Sequence, residues 1–466
     1  MPAETITFDP AVKPMGRPPG PRYGFPRKYL PTMRRDPLGF LTRLARQYGD
    51  VACFEQMGLE MYALNHPDLA KSVLVTQADK FKKSRALQRA RIVLGNGLLT
   101  SEGEYHLRQR RLALGAFHKQ RVAVYAQVMA DYAARARKRW KDGATLNVSA
   151  EMHRLTMAIV AKVLFDADVE SESQEIREGL SVFLRIFPRM MLPRSDWLLK
   201  VPLPMHRKFH RSRERLDATI YRIIEDRRKR NVESDDLLSM LLEARDSEGD
   251  GGGMTDEQLR DEVMTLFLAG HETTANALTW TWMLLSENRD VEVKLHAELD
   301  RALGGRLPGA NDIADLAYCE AVFAEAMRLY PPAWLIGREA LEDVEIGGYT
   351  IPKGSVVFVS PFVMHRDARF FPEPQRFNPE RWLEDGKRAK PGAWPAKTAF
   401  FPFGGGPRRC IGEAFAWMEG VLLIATIAQK WRMQLVPGQR IELQPIITLR
   451  PRRGIRMTLE ARSGRG

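Results

Sequence analysis

Phe403-Gly-Gly-Gly-Pro-Arg-Arg-Cys-Ile-Gly412 sets one cysteine, Cys410, behind a run of glycines and two arginines. Glycine opens backbone conformations closed to other residues and lets the chain approach a ligand closely. Pro407 fixes one turn angle, and the apolar run from Ala414 to Ala428 reads as a helix. A thiol on a tight loop, beside guanidiniums and near a helix start, is expected to ionise easily, and the thiolate is the form that binds metal. Backbone N–H groups around such a loop can also donate to the sulfur and tune it.

Other readings compete. A lone cysteine is more often a small buried hydrophobe. A glycine run before a helix can cradle phosphate, but no Gly-Lys-Ser/Thr follows and no Gly-x-Gly-x-x-Gly fits. Zinc needs further Cys or His at short spacing, and none is there. A single-thiolate site remains, and it suits haem iron.

Phe403-x-x-Gly406-x-Arg408-x-Cys410-x-Gly412 resembles, at every fixed position, the haem-binding loop of the cytochrome P450 superfamily. The resemblance implies haem b with Cys410 as axial thiolate ligand, Arg408 paired with a haem propionate and Phe403 packed on the proximal side. Gly404 and Gly412 are the further cofactor-binding positions that it implies in the loop. It also implies a mainly α fold with a smaller β-rich region, in one haem-binding domain.

The rest of the chain bounds the possibilities. At 466 residues it can bury a large core, and length alone would suggest several domains. Hydrophobic content of 44% with 28% charged residues is ordinary for a globular protein. Three cysteines make no disulfide framework, so a reducing compartment fits. No apolar segment opens the chain, and residues 263–285 are too polar at their centre for a bilayer span. A soluble, cytoplasmic monomer without a transmembrane anchor is expected. The net charge of +13 is spread along the chain with no nucleic-acid motif, which argues against DNA or RNA partners.

The organisation expected is a Pro/Gly-rich opening segment at 1–31, a P450 domain at 32–462 and a frayed tail at 463–466. The β-rich part is expected mainly at 50–65, 336–360 and 432–459, with helices at 37–49 and near Leu69–Thr76, and mainly helix from 123 to 246. The apolar stretch around Phe183–Trp197 is either core, a pocket lid or a shallow membrane contact.

Gly103-Glu-Tyr-His106-Leu-Arg-Gln-Arg110 places His106 and Arg110 at i and i+4 on one helix face, where both reach a common anion. On its own this is a solvated basic helix; it is similar to the family's propionate-binding helix, which makes both residues haem contacts. Arg338 and His365 occupy positions resembling further propionate contacts.

Thr255-Asp-Glu-Gln258 is a capping-box start for a long helix. That helix carries Ala269-Gly-His-Glu-Thr-Thr274, an odd sequence for a buried helix. Gly270 costs roughly 1 kcal/mol against alanine, and Glu272 needs a partner if buried. Thr273 can bond back to the Ala269 carbonyl and bend the helix, opening a groove. The stretch resembles the family's oxygen-activating motif, in which Thr273 would hold dioxygen and Glu272 would help deliver protons.

Glu325-Ala-Met-Arg328 has the spacing of an ordinary helix ion pair. Its place between the two motifs resembles the family's invariant pair, and Arg381 in Phe377-Asn-Pro-Glu-Arg-Trp382 matches the third member, with Trp382 standing where Phe is commoner. These three are implied to be structural, holding the cysteine loop. By family position Leu266, Ala269, Ala333, Trp334, Leu335 and Thr448 would line the substrate pocket.

The resemblance implies a haem-thiolate monooxygenase that uses dioxygen as co-substrate on a small apolar substrate such as a fatty acid, terpenoid or steroid. Electrons would come from NAD(P)H only indirectly, through a ferredoxin- or flavodoxin-type partner and its reductase. Arg108, Arg111, Arg408 and Arg409 would give the cysteine side a basic docking face. The alternatives are an isomerase or dehydratase acting on a peroxide at the same haem site, and a non-catalytic haem carrier or sensor.

Overall fold

The computed structural model describes residues 16–21, 35–56, 59–166, 204–230, 236–385, 387–388 and 398–462. The apolar stretch 183–203, most of the opening segment and the tail 463–466 lie outside the described residues.

The architecture is mainly helical with a smaller sheet region. In chain order the elements that position the site begin with α1 (Pro37–Tyr48), β1 (Val51–Gln56), β2 (Leu59–Leu64), β3 (Phe81–Lys83) and α2 (Gly103–Leu114). There follow α3 (Ala126–Lys138), β4 (Thr145–Asn147), α4 (Val148–Phe165), α5 (Pro204–Arg230) and α6 (Asp256–Glu287). The second half holds α7 (Arg289–Leu303), α8 (Ala317–Leu329), β5 (Ile336–Ala340), β6 (Val344–Ile346), β7 (Tyr349–Ile351) and β8 (Val356–Val359). After the cysteine loop come α9 (Glu413–Ala428), β9 (Trp431–Leu435), β10 (Leu443–Pro445), β11 (Leu449–Pro451) and β12 (Arg456–Ala461).

One five-stranded sheet runs β1-β2-β8-β5-β3. β1 and β2 pair antiparallel as the local alternation suggests, and β2 then lies parallel to β8, with Met61 opposite Val356. Strands nearly three hundred residues apart thus share one sheet, and both of its faces are covered by apolar side chains. β9, β12 and β4 form a second sheet. The helix read near Leu69–Thr76 is a short α-helix, Pro67–Lys71, that continues as a π-helical turn, Ser72–Thr76.

α6 is the axis of the molecule. Its start is the expected capping box: the Gln258 amide donates to Thr255 Oγ1 at 3.2 Å, and the Thr255 amide to Gln258 Oε1 at 3.0 Å. From Leu259 to Leu285 nearly every residue is buried, because α4, α5, α8 and α9 pack around it. α4 makes the most extensive seam. A Cβ on Gly270 would sit 3.1 Å from Val160 Cγ2, so glycine there lets the two helices close up.

Candidate active site

The cysteine loop is built by short-range bonds. The Gly404 amide donates to the Phe401 carbonyl at 3.0 Å, Arg409 to Gly406 at 3.0 Å, and Cys410 to Phe403 at 3.0 Å. Gly406 adopts φ +64°, and a Cβ there would lie 1.9 Å from the Leu74 carbonyl oxygen. The loop is therefore wedged against the π-helical turn by a contact only glycine allows. On its other side Arg110 Nη1 donates to the Arg409 carbonyl at 2.8 Å, clamping the loop to α2. Phe403 packs against Trp417 of α9, ring centroids 5.7 Å apart.

Cys410 is solvent-accessible although the protein surrounds it deeply. Its open side therefore faces an internal space. Burial pushes its thiol up to about 11; the hydrogen bond from the Gly412 amide, Arg110 and Arg409 pull the other way and Glu413 adds to the rise. The expectation of easy ionisation is corrected here: desolvation of the thiolate outweighs the guanidiniums. Such a thiol loses its proton to a metal cation rather than to water.

A second opening borders α6. Ala269 is exposed, and Gly270 and Thr273 partly so, in a helix that is otherwise buried at that level. Thr273 Oγ1 donates to the Ala269 carbonyl at 2.7 Å, the back-bond expected from the sequence. Glu272 is buried and accepts from Thr448 Oγ1 at 2.7 Å; Asn276 Nδ2 in turn donates to Thr448 Oγ1 at 3.2 Å.

A third feature is a convergence of cations. Lys83, His106, Arg338 and Arg408 lie close enough to depress one another. Burial, then Arg408, pushes Lys83 down to about 6 against the pull of Glu102. Burial, then Arg408, Lys83 and Arg110, pushes His106 down to about 3. Arg338 is pushed down to about 10 by burial and Arg408. Arg408 is ion-paired with Glu102 and donates to the Ser101 carbonyl at 2.8 Å. Glu102 is the carboxylate that acts on all three of Lys83, Arg338 and Arg408, so the cluster is short of negative charge. A ligand carrying two carboxylates would supply it. An accessible thiol deep in the protein, an opening beside Thr273 and a cationic cradle together fit haem with its propionates.

The supporting frame is also explicit. Glu325 and Arg328 are fully buried, joined by Nε–Oε2 and Nη2–Oε1 bonds of 2.8 Å each. Arg328 spends its remaining donors on the carbonyls of His365, Pro374 and Arg376, at 2.7, 2.8 and 3.1 Å. Glu325 also accepts from Arg381 Nε at 3.0 Å, the Asn378 amide at 3.0 Å and Trp382 Nε1 at 2.9 Å.

Two expected contacts are placed elsewhere. His365 does not join the cationic cluster: it is fully buried among Phe371, Phe400 and Phe401, and its Nε2 accepts the Phe401 amide at 3.2 Å. Trp334 turns into the sheet-side core, with Nε1 on the Ile446 carbonyl at 3.1 Å, while its neighbours Ala333 and Leu335 are only partly buried. Leu266 is buried on α6 one turn before Ala269, and the Thr448 hydroxyl is committed to Glu272. The basic docking face is also altered. Arg111 holds Asp246 through two 2.8 Å bonds, Arg108 holds Asp250, and Arg409 holds Glu413. In-chain carboxylates thus neutralise much of that charge. Lys83, Glu102 and the Thr448–Glu272 bond had no signal in the sequence, because each depends on segments brought together only by folding.

The donor set is that of a haem-thiolate protein. A sequence model of the family "Cytochrome P450" matches residues 18–458, and the chain belongs to the cytochrome P450 family. It is 41% identical over 419 residues to cyclooctatin synthase of Streptomyces melanosporofaciens, covering 90% of each chain. It is 38% identical to cyclooctat-9-en-7-ol 5-monooxygenase of the same organism, covering 87% of this chain and 86% of the relative. It is 33% identical to pentalenene oxygenase of Streptomyces avermitilis, over 92% of this chain and 94% of that one. The protein is accordingly a cytochrome P450 monooxygenase, an oxidoreductase that uses haem iron and dioxygen. Among the described residues no helix is long and apolar enough to cross a membrane.

Proposed function

We propose that this enzyme inserts one oxygen atom of dioxygen into an apolar polycyclic substrate of terpenoid type, with electrons from NAD(P)H passed through a separate reductase and a ferredoxin or flavodoxin. The observation that carries the reading is the Thr273 hydroxyl, bonded to the Ala269 carbonyl at an opening in the middle of buried α6, with the Glu272 carboxyl next to it. The substrate class is supported by the relatives whose names specify cyclooctat-9-en-7-ol and pentalenene as what they oxidise, and by the apolar character of Leu266, Ala269, Ala333 and Leu335.

Cys410, whose sulfur accepts from the Gly412 amide, would hold the haem iron. Arg110, Arg338, Arg408 and His106 would hold the propionate edge, while Lys83 Nζ donates to the Leu98 carbonyl at 2.7 Å. Haem with a thiolate ligand would supply the activation of dioxygen there. Thr273 keeps a hydroxyl at the opening, and Glu272, oriented by Thr448, is the acid–base group that relays protons beside it. Glu325, Arg328 and Arg381 keep the loop in shape and take no part in the chemistry. The enzyme works as a cytoplasmic monomer, and residues 32–462 act as one domain.

The test is the spectrum of the dithionite-reduced protein under carbon monoxide, followed by turnover with a surrogate ferredoxin and reductase. A strongly red-shifted Soret band, with substrate-dependent consumption of reduced nicotinamide and an oxygenated cyclic product, is expected. A Soret band typical of histidine-ligated haem would overturn the Cys410 assignment. Conversion of a peroxide without reductant, or haem binding with no turnover, would replace the reading by an isomerase or a carrier.

A further inference from the structure

Residues 96–101 cross from the cationic cradle to α6, and ionisable side chains hold their backbone from both sides. On the cradle side Arg408 Nη1 and Lys83 Nζ reach the Ser101 carbonyl at 2.8 and 3.4 Å, and Arg91 donates twice to the Thr100 carbonyl, at 3.0 and 2.8 Å. On the helix side the Asn96 amide donates to Asp261 Oδ2 at 2.6 Å. A Cβ on Gly97 would stand 2.5 Å from Thr265 Oγ1, one turn before Ala269 and the opening in α6. The loop therefore spans the side of the site that lies between the propionate edge and that opening.

One residue in it is gripped from two directions. The Leu98 amide donates to Glu262 Oε2 at 3.0 Å, and the Leu98 carbonyl accepts from Lys83 Nζ at 2.7 Å. Glu262 comes from α6 and Lys83 from β3, and both are buried. Among the described residues the Leu98 amide is the one hydrogen-bond partner of Glu262, whose Oε1 is buried without any. Burying a carboxyl with half its acceptors unused is costly, and so is burying a lysine. What both obtain for that cost is a bond to the same residue of the loop.

We propose that Lys83 and Glu262 are positioning residues that clamp Leu98 and thereby fix residues 96–101 as a wall of the haem-side pocket, setting how bulky a molecule can reach the iron. The inference rests on the haem-site reading above. No covalent bond changes in this role. Releasing either grip frees the same residue, so the wall yields and selection against bulk relaxes.

The deciding experiment titrates the ferric holoprotein with imidazole and with 4-phenylimidazole, each followed by the Soret shift that its nitrogen causes on binding iron. Glu262→Leu and Lys83→Met each remove one grip. Each is expected to shift the affinity ratio by about tenfold in favour of the bulkier azole, the worth of one buried hydrogen bond. Glu262→Gln keeps an acceptor for the Leu98 amide and should hold the wild-type ratio. The double variant should match the single ones, because a wall already released cannot be released again. A shift of about a hundredfold, the product of two independent effects, would overturn the clamp. An unchanged ratio in Glu262→Leu would do the same. Lys83 also borders the propionate edge, so a second arm uses the Glu262 variants alone and reads amide hydrogen exchange across 96–101. Exchange should quicken in Glu262→Leu and stay as in wild type in Glu262→Gln; equal protection in all three would sink the idea whatever the haem content. Azole binding needs only ferric haem, so a clamp that behaves as expected in a protein that oxygenates nothing would count against the oxygenase reading instead.

Discussion

The Thr448 hydroxyl donates to Glu272 Oε1 at 2.7 Å, joining the start of β11 to the middle of α6 across 176 positions of sequence. Asn276, one turn after Glu272, donates to the same hydroxyl at 3.2 Å, so the three form a chain in which Thr448 orients the acid. Thr448→Val keeps the shape and removes both bonds. It should cost about 1–3 kcal/mol in chemical denaturation, since a buried carboxylate oxygen loses its donor. It should also lower product per electron pair while leaving the substrate-induced spin shift intact, and Thr448→Ser should restore coupling. Equal coupling in the valine variant would show that Glu272 needs no such orientation.

Trp382 stands where phenylalanine was the commoner expectation, and the difference has a physical content: its indole N–H donates to Glu325 Oε2 at 2.9 Å. Trp382→Phe should therefore lower stability by about 1.5–3 kcal/mol, the worth of one bond to a buried charge, with haem content retained. Glu325→Gln is far more severe. Arg328 and Arg381 would keep their charges in the interior with no carboxylate, a loss of about 3–5 kcal/mol, and the protein should purify largely without haem. Haem-to-protein ratios measured on the two variants separate these outcomes.

The loop glycines are not equivalent. Gly406 has φ +64° and no room for a Cβ against the Leu74 carbonyl, whereas Gly412 has φ −85° and its nearest neighbour, Phe117, would be 3.8 Å from a Cβ. Gly406→Ala should abolish the red-shifted carbon monoxide band. Gly412→Ala should retain it, because its amide still reaches the Cys410 sulfur. Loss of the band in both would mean that Gly412 meets the cofactor itself.

What could be read from the chain divides along the same lines. The cysteine loop, the Ala269–Thr274 stretch and the Glu325–Arg328 pair are local patterns, each with its chemistry inside ten residues, so spacing alone exposes them. The convergence of Lys83, Glu102, Arg338 and Arg408 uses four separated segments, and nothing in Phe81-Lys-Lys83 distinguishes an inward lysine from a solvated one. The ionisation of Cys410 is not legible for a related reason: the arginines are visible in sequence, but the depth at which the sulfur sits is not. His365 shows the same limit, since its aromatic enclosure by Phe371, Phe400 and Phe401 is a tertiary property.

Glu419 gives a pH test with a definite sign. It lies fully buried on α9, and burial pushes its carboxyl from the ordinary 4.5 up to about 8, with the Thr274 hydroxyl opposing. Between those values the folded chain keeps a proton that the unfolded chain has released. Its contribution to stability is therefore complete below about 4.5, declines as pH rises and is lost beyond about 8. Glu262, pushed up to about 8 mainly by burial, contributes a slope of the same sign, while Lys83, pushed down from 10.5 to about 6, contributes the opposite one between those values. The raw profile mixes all three, and the difference between wild type and Glu419→Gln isolates one. That difference, from denaturant titrations between pH 5 and 9, should grow in favour of the glutamine variant as pH rises and level off above about 8. A constant difference would mean that Glu419 is already ionised at neutral pH and held by a partner in the folded protein.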